Sequence, residues 1–299
     1  MPRARQGGSG SLPPIHGLVF DVDGTLLLSD RALGGYELLP GAIETLSALR
    51  QQQFPFVLLT NGSAYAPKDQ AAKMRAIGLP VDEAQMITPS SITADHMRRN
   101  GIGSALVLGV RGVGQALLDA GIDTRYTGEA HDTEVDAVYV GWHPHCGMPD
   151  IEAAARALWA GAKLYVGSNI PFFVTKQGRT IGYSYAIVGA IRRLASVPMI
   201  VTGKPSRHAL RFAAKALGLP ARDIAVVGDD PMVESIMARR GGAVALGVTT
   251  GITSREQWAR LPASRRPHRV LRGLPEVLGF IGAGARSRRR PRPARQRPR

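Results

Sequence analysis

The stretch GLVFDVDGT at residues 17–25 joins a short apolar run to a turn that carries two aspartates. Residues 17–20 include a β-branched and an aromatic side chain, a composition that predicts a buried strand. Asp21 and Asp23 follow at once, with Gly24 behind them. Carboxylate oxygens are the ligands that a hard cation such as Mg²⁺ takes, and a carboxylate can also act as a nucleophile. The stretch therefore predicts a strand that ends in a metal-binding or nucleophilic aspartate.

Candidate strands and helices alternate along the rest of the chain. Short apolar runs predict strands, and segments with helical periodicity predict helices between them. This alternation predicts the α/β class, with a mostly parallel, doubly wound sheet. The predicted later strands lie at 56–59, 105–110, 137–141, 163–166, 199–201, 224–227 and 243–246.

Polar residues follow three of these strands. Thr60, Lys204 and Asp229 each lie just beyond a predicted strand end, as Asp21 does. Ligands of doubly wound sheets bind beyond the carboxyl ends of the strands, so we expect these residues to meet if their strands are neighbours. An isolated Asp-X-Asp-Gly turn would leave the other three residues unexplained.

The chemistry of these side chains favours phosphoryl transfer. Asp21 is a candidate nucleophile, and Asp23 is placed to move a proton to and from the reacting oxygens. Lys204 supplies a positive charge and Thr60 a hydroxyl for the phosphoryl oxygens. The Asp229-Asp230 pair can complete the ligand shell of a cation.

Four motifs in this order resemble those of the haloacid dehalogenase (HAD) superfamily. They are residues 21–26, Thr60-Asn61, Lys204 and residues 228–230. The spacing is similar to that of the NagD/4-nitrophenylphosphatase subfamily, whose members carry a large α/β cap between the second and third motifs. The resemblance extends over residues 17–280.

This resemblance implies a Rossmann-like core with an inserted C2-type cap. The predicted core comprises residues 15–85 and 196–283, and the predicted cap comprises residues 86–195. Residues 1–14 are predicted to be a disordered N-terminus, and 284–299 a basic disordered tail. The implied function is Mg²⁺-dependent hydrolysis of a small-molecule phosphomonoester through an aspartyl-phosphate.

The resemblance also assigns roles to single residues. The implied catalytic residues are Asp21, Asp23, Thr60 and Lys204. The implied phosphate contacts are Thr60, Asn61, Gly62 and Lys204, and the implied metal ligands are Asp21, Asp23 through its carbonyl, and Asp229. The chain departs from the pattern at Glu234, where many subfamily members have aspartate. Glu234 could act on the metal through water or orient Lys204, and Asp230 could take the outer-shell role instead.

Three segments of the predicted cap are candidates for substrate contact. They are residues 142–146, 168–173 and 183–186. Phe172 and Phe173 could stack on a substrate ring or belong to the cap core, which is the commoner fate of phenylalanine.

Composition and charge limit the remaining functions. The net charge is +15, and eight arginines between Arg286 and Arg299 supply more than half of it. We interpret this Arg/Pro-rich tail as solvated, although it could also clamp a nucleic acid. No apolar run reaches the roughly 18 residues of a membrane span. The single cysteine, Cys146, fits a reducing, cytoplasmic setting.

Two other function classes stay open at this point. One is a non-catalytic protein that binds a phosphorylated ligand, and the other is a nucleic-acid-associated protein that acts through its basic tail. A phosphotransferase that uses an acceptor other than water is a variant of the enzyme. The resemblance further implies a possible homodimer through the cap.

Overall fold

The computed structural model describes residues 12–31, 35–129 and 134–285. Most of the predicted disordered N-terminus and basic tail therefore lies outside the described residues. Where these segments are described, both differ from the prediction: Leu12 packs against the hydrophobic core, and the last helix continues through Ala285.

The described residues form fifteen strands and ten α-helices. The strands are β1 (Gly17–Phe20), β2 (Leu27–Ser29), β3 (Tyr36–Leu38), β4 (Phe56–Leu59), β5 (Met86–Ile87), β6 (Ser104–Leu108), β7 (Asp123–Tyr126), β8 (Ala137–Val140), β9 (Lys163–Val166), β10 (Phe172–Thr175), β11 (Gly178–Ile181), β12 (Met199–Val201), β13 (Ile224–Gly228), β14 (Val244–Val248) and β15 (Arg269–Leu271). The helices are α1 (Ala42–Gln51), α2 (Pro67–Ala76), α3 (Pro89–Arg99), α4 (Arg111–Asp119), α5 (Met148–Trp159), α6 (Tyr183–Leu194), α7 (Arg207–Leu217), α8 (Ile236–Gly241), α9 (Arg255–Arg260) and α10 (Pro275–Ala285).

The first sheet is parallel and has the order β15-β14-β13-β1-β4-β5 within the described chain. Alternate residues of β1 enter different clusters: Leu18 and Phe20 pack with helices α1, α2 and α10, whereas Val19 packs with α7 and α8. Because apolar side chains cover both faces, the sheet is doubly wound. The predicted α/β, Rossmann-like fold class is confirmed.

Strand β1 lies where the winding changes direction. From β1 the chain moves to β4 and β5 on one side, and much later it returns to β13 on the other side. Phe20 pairs with Leu58 of β4 and with Val227 of β13, so these three strands end at the same level. Such a change of direction opens a crevice beyond the strand ends.

The second sheet is also parallel, with the order β12-β9-β8-β6-β7. Helices α5 and α6 pack on one face, and α3 and α4 pack on the other. Two antiparallel hairpins, β2–β3 and β10–β11, lie outside both sheets. In the chain the second sheet falls between β5 and α7, where the inserted unit was expected.

Strand pairing differs from the predicted boundaries at both ends of the inserted unit. The predicted cap began at residue 86, but β5 pairs with β4 in the first sheet. The predicted core resumed at residue 196, but β12 pairs with β9 in the second sheet, with Ile200 opposite Tyr165. Both strands are short and apolar, so their partners could not be identified from composition. Lys204 therefore enters the crevice from the second sheet and not from a strand beside β1.

Among the described residues, the longest and most apolar helices are still too short or too polar to cross a membrane.

Candidate active site

Asp21 lies at the end of β1 and is 5% exposed. Its Oδ2 accepts a hydrogen bond from the Thr25 hydroxyl at 2.9 Å, and its Oδ1 accepts one from the Lys204 ammonium. The backbone turns sharply behind it at Gly24, whose φ of 86° falls in the left-handed region that glycine adopts without strain. The Asp21 carboxylate is thus held in one orientation by two donors.

Asp23 lies beside Asp21 and is only partly buried. Its Oδ1 accepts a hydrogen bond from the Ser29 hydroxyl at 2.6 Å. Burial raises the pKa of Asp23 to about 6, with the charge of Asp21 adding to the effect and the Ser29 bond opposing it. A carboxyl with a pKa near neutrality can both give and take a proton under physiological conditions.

Lys204 is 2% exposed, and its ammonium group bridges two carboxylates. Besides Asp21, it donates to Glu234 Oε1 at 2.8 Å. Burial alone would lower the pKa of Lys204, but the adjacent charges of Asp21 and Glu234 outweigh burial and raise it. Lys204 is therefore a fixed positive charge.

Asn61 holds the main chain of Lys204 with both ends of its amide. Its Oδ1 accepts from the Lys204 N–H at 2.8 Å, and its Nδ2 donates to the Lys204 carbonyl at 3.1 Å. This pair of bonds ties the end of β4 to the segment that follows β12. The side chain predicted to contact phosphate is engaged in positioning the lysine.

Thr60 and Gly62 flank Asn61 in the loop that follows β4. The Thr60 hydroxyl accepts a hydrogen bond from the Gly62 N–H at 2.9 Å, and Thr60 is buried. Gly62 and Asn61 line the pocket in front of Asp21.

The turn after β13 brings three more carboxylates to the crevice. Asp229 Oδ2 accepts from the Ile252 N–H at 2.9 Å. Asp230 Oδ1 instead accepts from the Met232 N–H at 2.7 Å and caps the π-helical turn Pro231–Ser235. Glu234, on that turn, reaches back to Lys204 and also accepts weakly from the Asp230 N–H at 3.3 Å. Of the two outer-shell candidates, Glu234 contacts the lysine and Asp230 caps its own turn.

The carboxylates of Asp21, Asp229 and Glu234 each present an oxygen within 4.8 Å of the others. Burial raises the pKa of Asp229 to about 8, and the charge of Asp21 adds to the shift. Burial also raises the pKa of Glu234, which Lys204 only partly offsets. Several buried carboxyls share one lysine, and their raised pKa values show that the lysine alone does not favour the ionisation of all of them; a divalent cation would supply the missing positive charge. The all-oxygen donor set fits a hard cation such as Mg²⁺.

The loop after β14 supports Asp229 and was missed in the sequence. A Cβ on Gly251 would lie 1.9 Å from Asp229 Oδ2, and one on Gly24 would lie 2.3 Å from it. Thr250 Oγ1 donates to the Gly24 carbonyl at 3.0 Å and joins the two glycine turns. The available signal was the Thr-Thr-Gly run at residues 249–251, which begins three residues beyond the predicted strand 243–246.

The opposite side of the pocket comes from the second sheet and the β10–β11 hairpin. All three predicted contact segments contribute residues to it, namely Trp142, Ser168, Ile170, Phe172, Phe173, Tyr183 and Ser184. Tyr185 does not line the pocket and is 44% exposed. The residues on this side and the Asp21 carboxylate line the same pocket.

Comparison with known proteins agrees with the fold and the motifs. Residues 18–123 match the family model described as haloacid dehalogenase-like hydrolase, and residues 201–277 match a second model described as HAD-hydrolase-like. The chain belongs to the haloacid dehalogenase-like hydrolases. Its resemblance to the NagD/4-nitrophenylphosphatase subfamily is also confirmed.

Three similar proteins illustrate the relationship. The 5'-nucleotidase YutF of Bacillus subtilis is 24% identical, over 89% of this chain and 98% of its own length. An acid sugar phosphatase of Staphylococcus saprophyticus is 25% identical, over 87% and 95%. The crystal structure of a 4-nitrophenylphosphatase from Thermotoga maritima superposes with a TM-score of 0.77 at 26% identity, covering 89% of this chain and 97% of that one.

Proposed function

We propose that this chain is a Mg²⁺-dependent phosphatase that hydrolyses small-molecule phosphomonoesters through an aspartyl-phosphate on Asp21. The observation that carries the proposal is the buried Asp21 carboxylate, which contacts Lys204, lies within 4.8 Å of two further carboxylates and faces a pocket. Relatives named as nucleotidase, sugar phosphatase and nitrophenylphosphatase support the reaction class.

The reaction would proceed in two displacements. An Asp21 oxygen attacks phosphorus, the bond from phosphorus to the leaving oxygen breaks, and Asp23 gives that oxygen a proton. Asp23, now ionised, takes a proton from water, whose oxygen attacks phosphorus and breaks the bond to Asp21. Inorganic phosphate leaves, and both aspartates return to their starting state.

Lys204 would bind the phosphoryl group, and the metal ligands would hold a cation beside it. Lys204 neutralises charge on the phosphoryl oxygens, and Asn61 fixes its main chain for this role. The Asn61-Gly62 backbone and the Thr60 hydroxyl are the remaining phosphate contacts in the proposal, and the Gly62 N–H would exchange its bond to the Thr60 hydroxyl for one to the phosphate. Asp21, Asp229 and the Asp23 carbonyl would hold Mg²⁺, which supplies positive charge to the transferring group.

We assign Glu234 to the positioning of Lys204. Its Oε1 lies 2.8 Å from the lysine ammonium, whereas Asp230 is engaged by the Met232 N–H. The longer glutamate side chain spans the distance from its turn to the lysine. A water-mediated contact from Glu234 to the metal is compatible with this role.

Phosphate release from a panel of phosphomonoesters tests the proposal. We expect turnover with Mg²⁺, none with excess EDTA, and recovery when Mg²⁺ is restored. Ligand binding without release in every condition would instead indicate the non-catalytic alternative. Retention of phosphate on an added alcohol would indicate the phosphotransferase.

The remaining predictions concern location and partners. A cytoplasmic location rests on the single Cys146, and a homodimer through the second sheet rests on the subfamily resemblance. The Arg-rich tail lies outside the described residues. A salt-sensitive interaction with nucleic acid that is lost on deletion of residues 286–299 would support the alternative of a nucleic-acid-associated protein acting through its basic tail.

A further inference from the structure

The wall opposite Asp21 is built around three aromatic rings that contact one another by their edges. Tyr183 meets Trp142 with ring centroids 4.5 Å apart at 85°, and Phe173 meets Trp142 at 6.2 Å and 68°. All three side chains are only partly buried, and all three line the pocket. Edge-to-face packing holds the rings in fixed orientations and leaves aromatic surface facing the crevice.

The charges of the pocket restrict what can lie against this wall. Among the described residues that line it, Lys204 is the sole basic residue, and its ammonium already contacts Asp21 and Glu234. The Arg179 guanidinium lies 4.3 Å from the centre of the Phe172 ring, but Arg179 is not part of the lining. A second anionic group on the substrate would therefore face carboxylates and aromatic rings without a cation to pair with.

Three polar side chains of the pocket, those of Asn61, Ser63 and Ser184, are engaged with the protein itself. Both ends of the Asn61 amide bind the Lys204 main chain. The Ser184 hydroxyl donates to the Ser168 carbonyl at 2.7 Å, and the Ser63 hydroxyl accepts from the main-chain N–H of Trp142 at 2.9 Å. These three side chains therefore offer fewer hydrogen bonds to a substrate with many hydroxyl groups than unengaged side chains would.

We propose that this aromatic wall, formed by Trp142, Phe173 and Tyr183, is a leaving-group subsite for a flat, uncharged ring. The preferred substrates are phosphomonoesters whose alcohol carries an aryl group or a nucleobase, with no second anionic group. Open-chain polyol phosphates are the disfavoured class. The inference rests on the proposed phosphatase function and specifies the substrate class of the same site.

Four esters of primary alcohols test the subsite without changing the reacting bond. They are benzyl phosphate, cyclohexylmethyl phosphate, glycerol 1-phosphate and 4-carboxybenzyl phosphate. We expect kcat/KM for benzyl phosphate to exceed that for each of the others by about tenfold, the scale of one well-placed aromatic contact or one unpaired charge.

The contrary results would each overturn one part of the proposal. Equal values for the benzyl and cyclohexylmethyl esters would overturn the preference for a flat ring. Equal or higher values for glycerol 1-phosphate would overturn the subsite, and full activity on the carboxybenzyl ester would overturn the requirement for an uncharged group. Phosphate release from none of the four, nor from any phosphomonoester, would overturn the proposed function.

Two tyrosines of helix α6 supply a matched pair of variants. Tyr183→Leu removes a ring of the wall but keeps an apolar side chain, whereas Tyr185→Leu removes an exposed ring two residues away. We expect the benzyl-to-glycerol ratio of kcat/KM to fall about fivefold in Tyr183→Leu and to stay unchanged in Tyr185→Leu.

Phe173→Leu repeats the test if Tyr183→Leu does not fold, and its ratio should fall in the same direction. An equal loss on all esters in both wall variants would show a purely structural role for the rings. That result, or an unchanged ratio, would overturn the inference.

Discussion

The two walls of the pocket are held by different interactions: hydrogen bonds between charged groups on one, and contacts between aromatic rings on the other. The charged wall is formed by the first sheet and the segment around Lys204. There, the Lys204 ammonium contacts both Asp21 and Glu234, and the Asn61 amide binds the Lys204 main chain. On the opposite wall, Trp142, Phe173 and Tyr183 are held by ring contacts and apolar packing. We infer from this difference that the first wall would carry out the proposed phosphoryl transfer and that the second would select the molecule that reacts.

The largest expected effect comes from Asp21→Asn. The substitution keeps the shape of the side chain but removes the nucleophile, so kcat should fall by about four orders of magnitude or more. Phosphate release under saturating Mg²⁺ measures the effect. An unfolding midpoint close to that of the wild type is the control, and activity within tenfold of wild type would contradict the assignment.

Lys204→Met tests whether the charged wall is an interdependent unit. The change leaves Asp21 and Glu234 buried without their cation, and breaking a buried ion pair costs about 3–5 kcal/mol of unfolding free energy. Denaturant unfolding in EDTA measures this loss.

The matched control is Arg156→Met. Arg156 and Glu152 form an ion pair on α5 with side chains 63% and 60% exposed. Removing such an exposed pair costs about 0.5 kcal/mol or less. Similar losses of unfolding free energy in the two variants would show that the buried ion pairs of Lys204 stabilise the fold no more than an exposed ion pair does.

Gly251→Ala should weaken the metal site without touching a predicted ligand. The new Cβ would meet Asp229 Oδ2 and the Gly24 carbonyl at 1.9 and 2.6 Å, so the Asp229 carboxylate must move. We expect Mg²⁺ affinity to fall by about 10–100-fold, the usual cost of disturbing a residue that supports a ligand. Titration calorimetry with Mg²⁺ measures it directly.

Gly189→Ala is the control, because a Cβ there meets nothing within 4 Å and the residue lies inside helix α6. Its Mg²⁺ affinity should be unchanged, and its unfolding free energy should rise by up to about 1 kcal/mol. Unaltered Mg²⁺ affinity in Gly251→Ala would exclude the loop after β14 from the metal site.

The smallest effect is expected for Ser63→Ala, which cuts a link between the two walls. The Ser63 hydroxyl accepts from the main-chain N–H of Trp142 at 2.9 Å, so the substitution removes the partner of a partly buried donor. Unfolding free energy should fall by about 1 kcal/mol, and KM should rise more than kcat falls. A loss confined to kcat would place Ser63 with the reacting groups.

The charged wall was largely predictable from the sequence because its residues follow strand ends. Asp21, Thr60 and Asp229 come directly after buried apolar runs, and parallel strands in the order β13-β1-β4 bring those ends together. Composition identifies such runs without any knowledge of their partners. Lys204 was also identified, although its strand proved to belong to the second sheet.

The remaining features depend on contacts between distant parts of the chain. Gly251 supports Asp229 from a loop 22 residues further along the chain, and local sequence does not show which turns will meet. The residues of the aromatic wall lie in segments that were predicted to contact substrate. Their edge-to-face arrangement depends on how α6 and the β10–β11 hairpin pack, which periodicity does not specify.

Trapping of the phosphorylated intermediate tests whether Asp21 is the nucleophile. In Asp23→Asn, 4-nitrophenyl phosphate should still phosphorylate Asp21, because nitrophenolate leaves without a proton, but hydrolysis should stall without a base for water. We expect one burst of nitrophenolate per protein molecule, with the phosphoryl group recovered by mass spectrometry on the peptide that contains Asp21. Steady turnover by this variant with no phosphorylated peptide, or a phosphoryl group on another residue, would exclude Asp21 as the nucleophile.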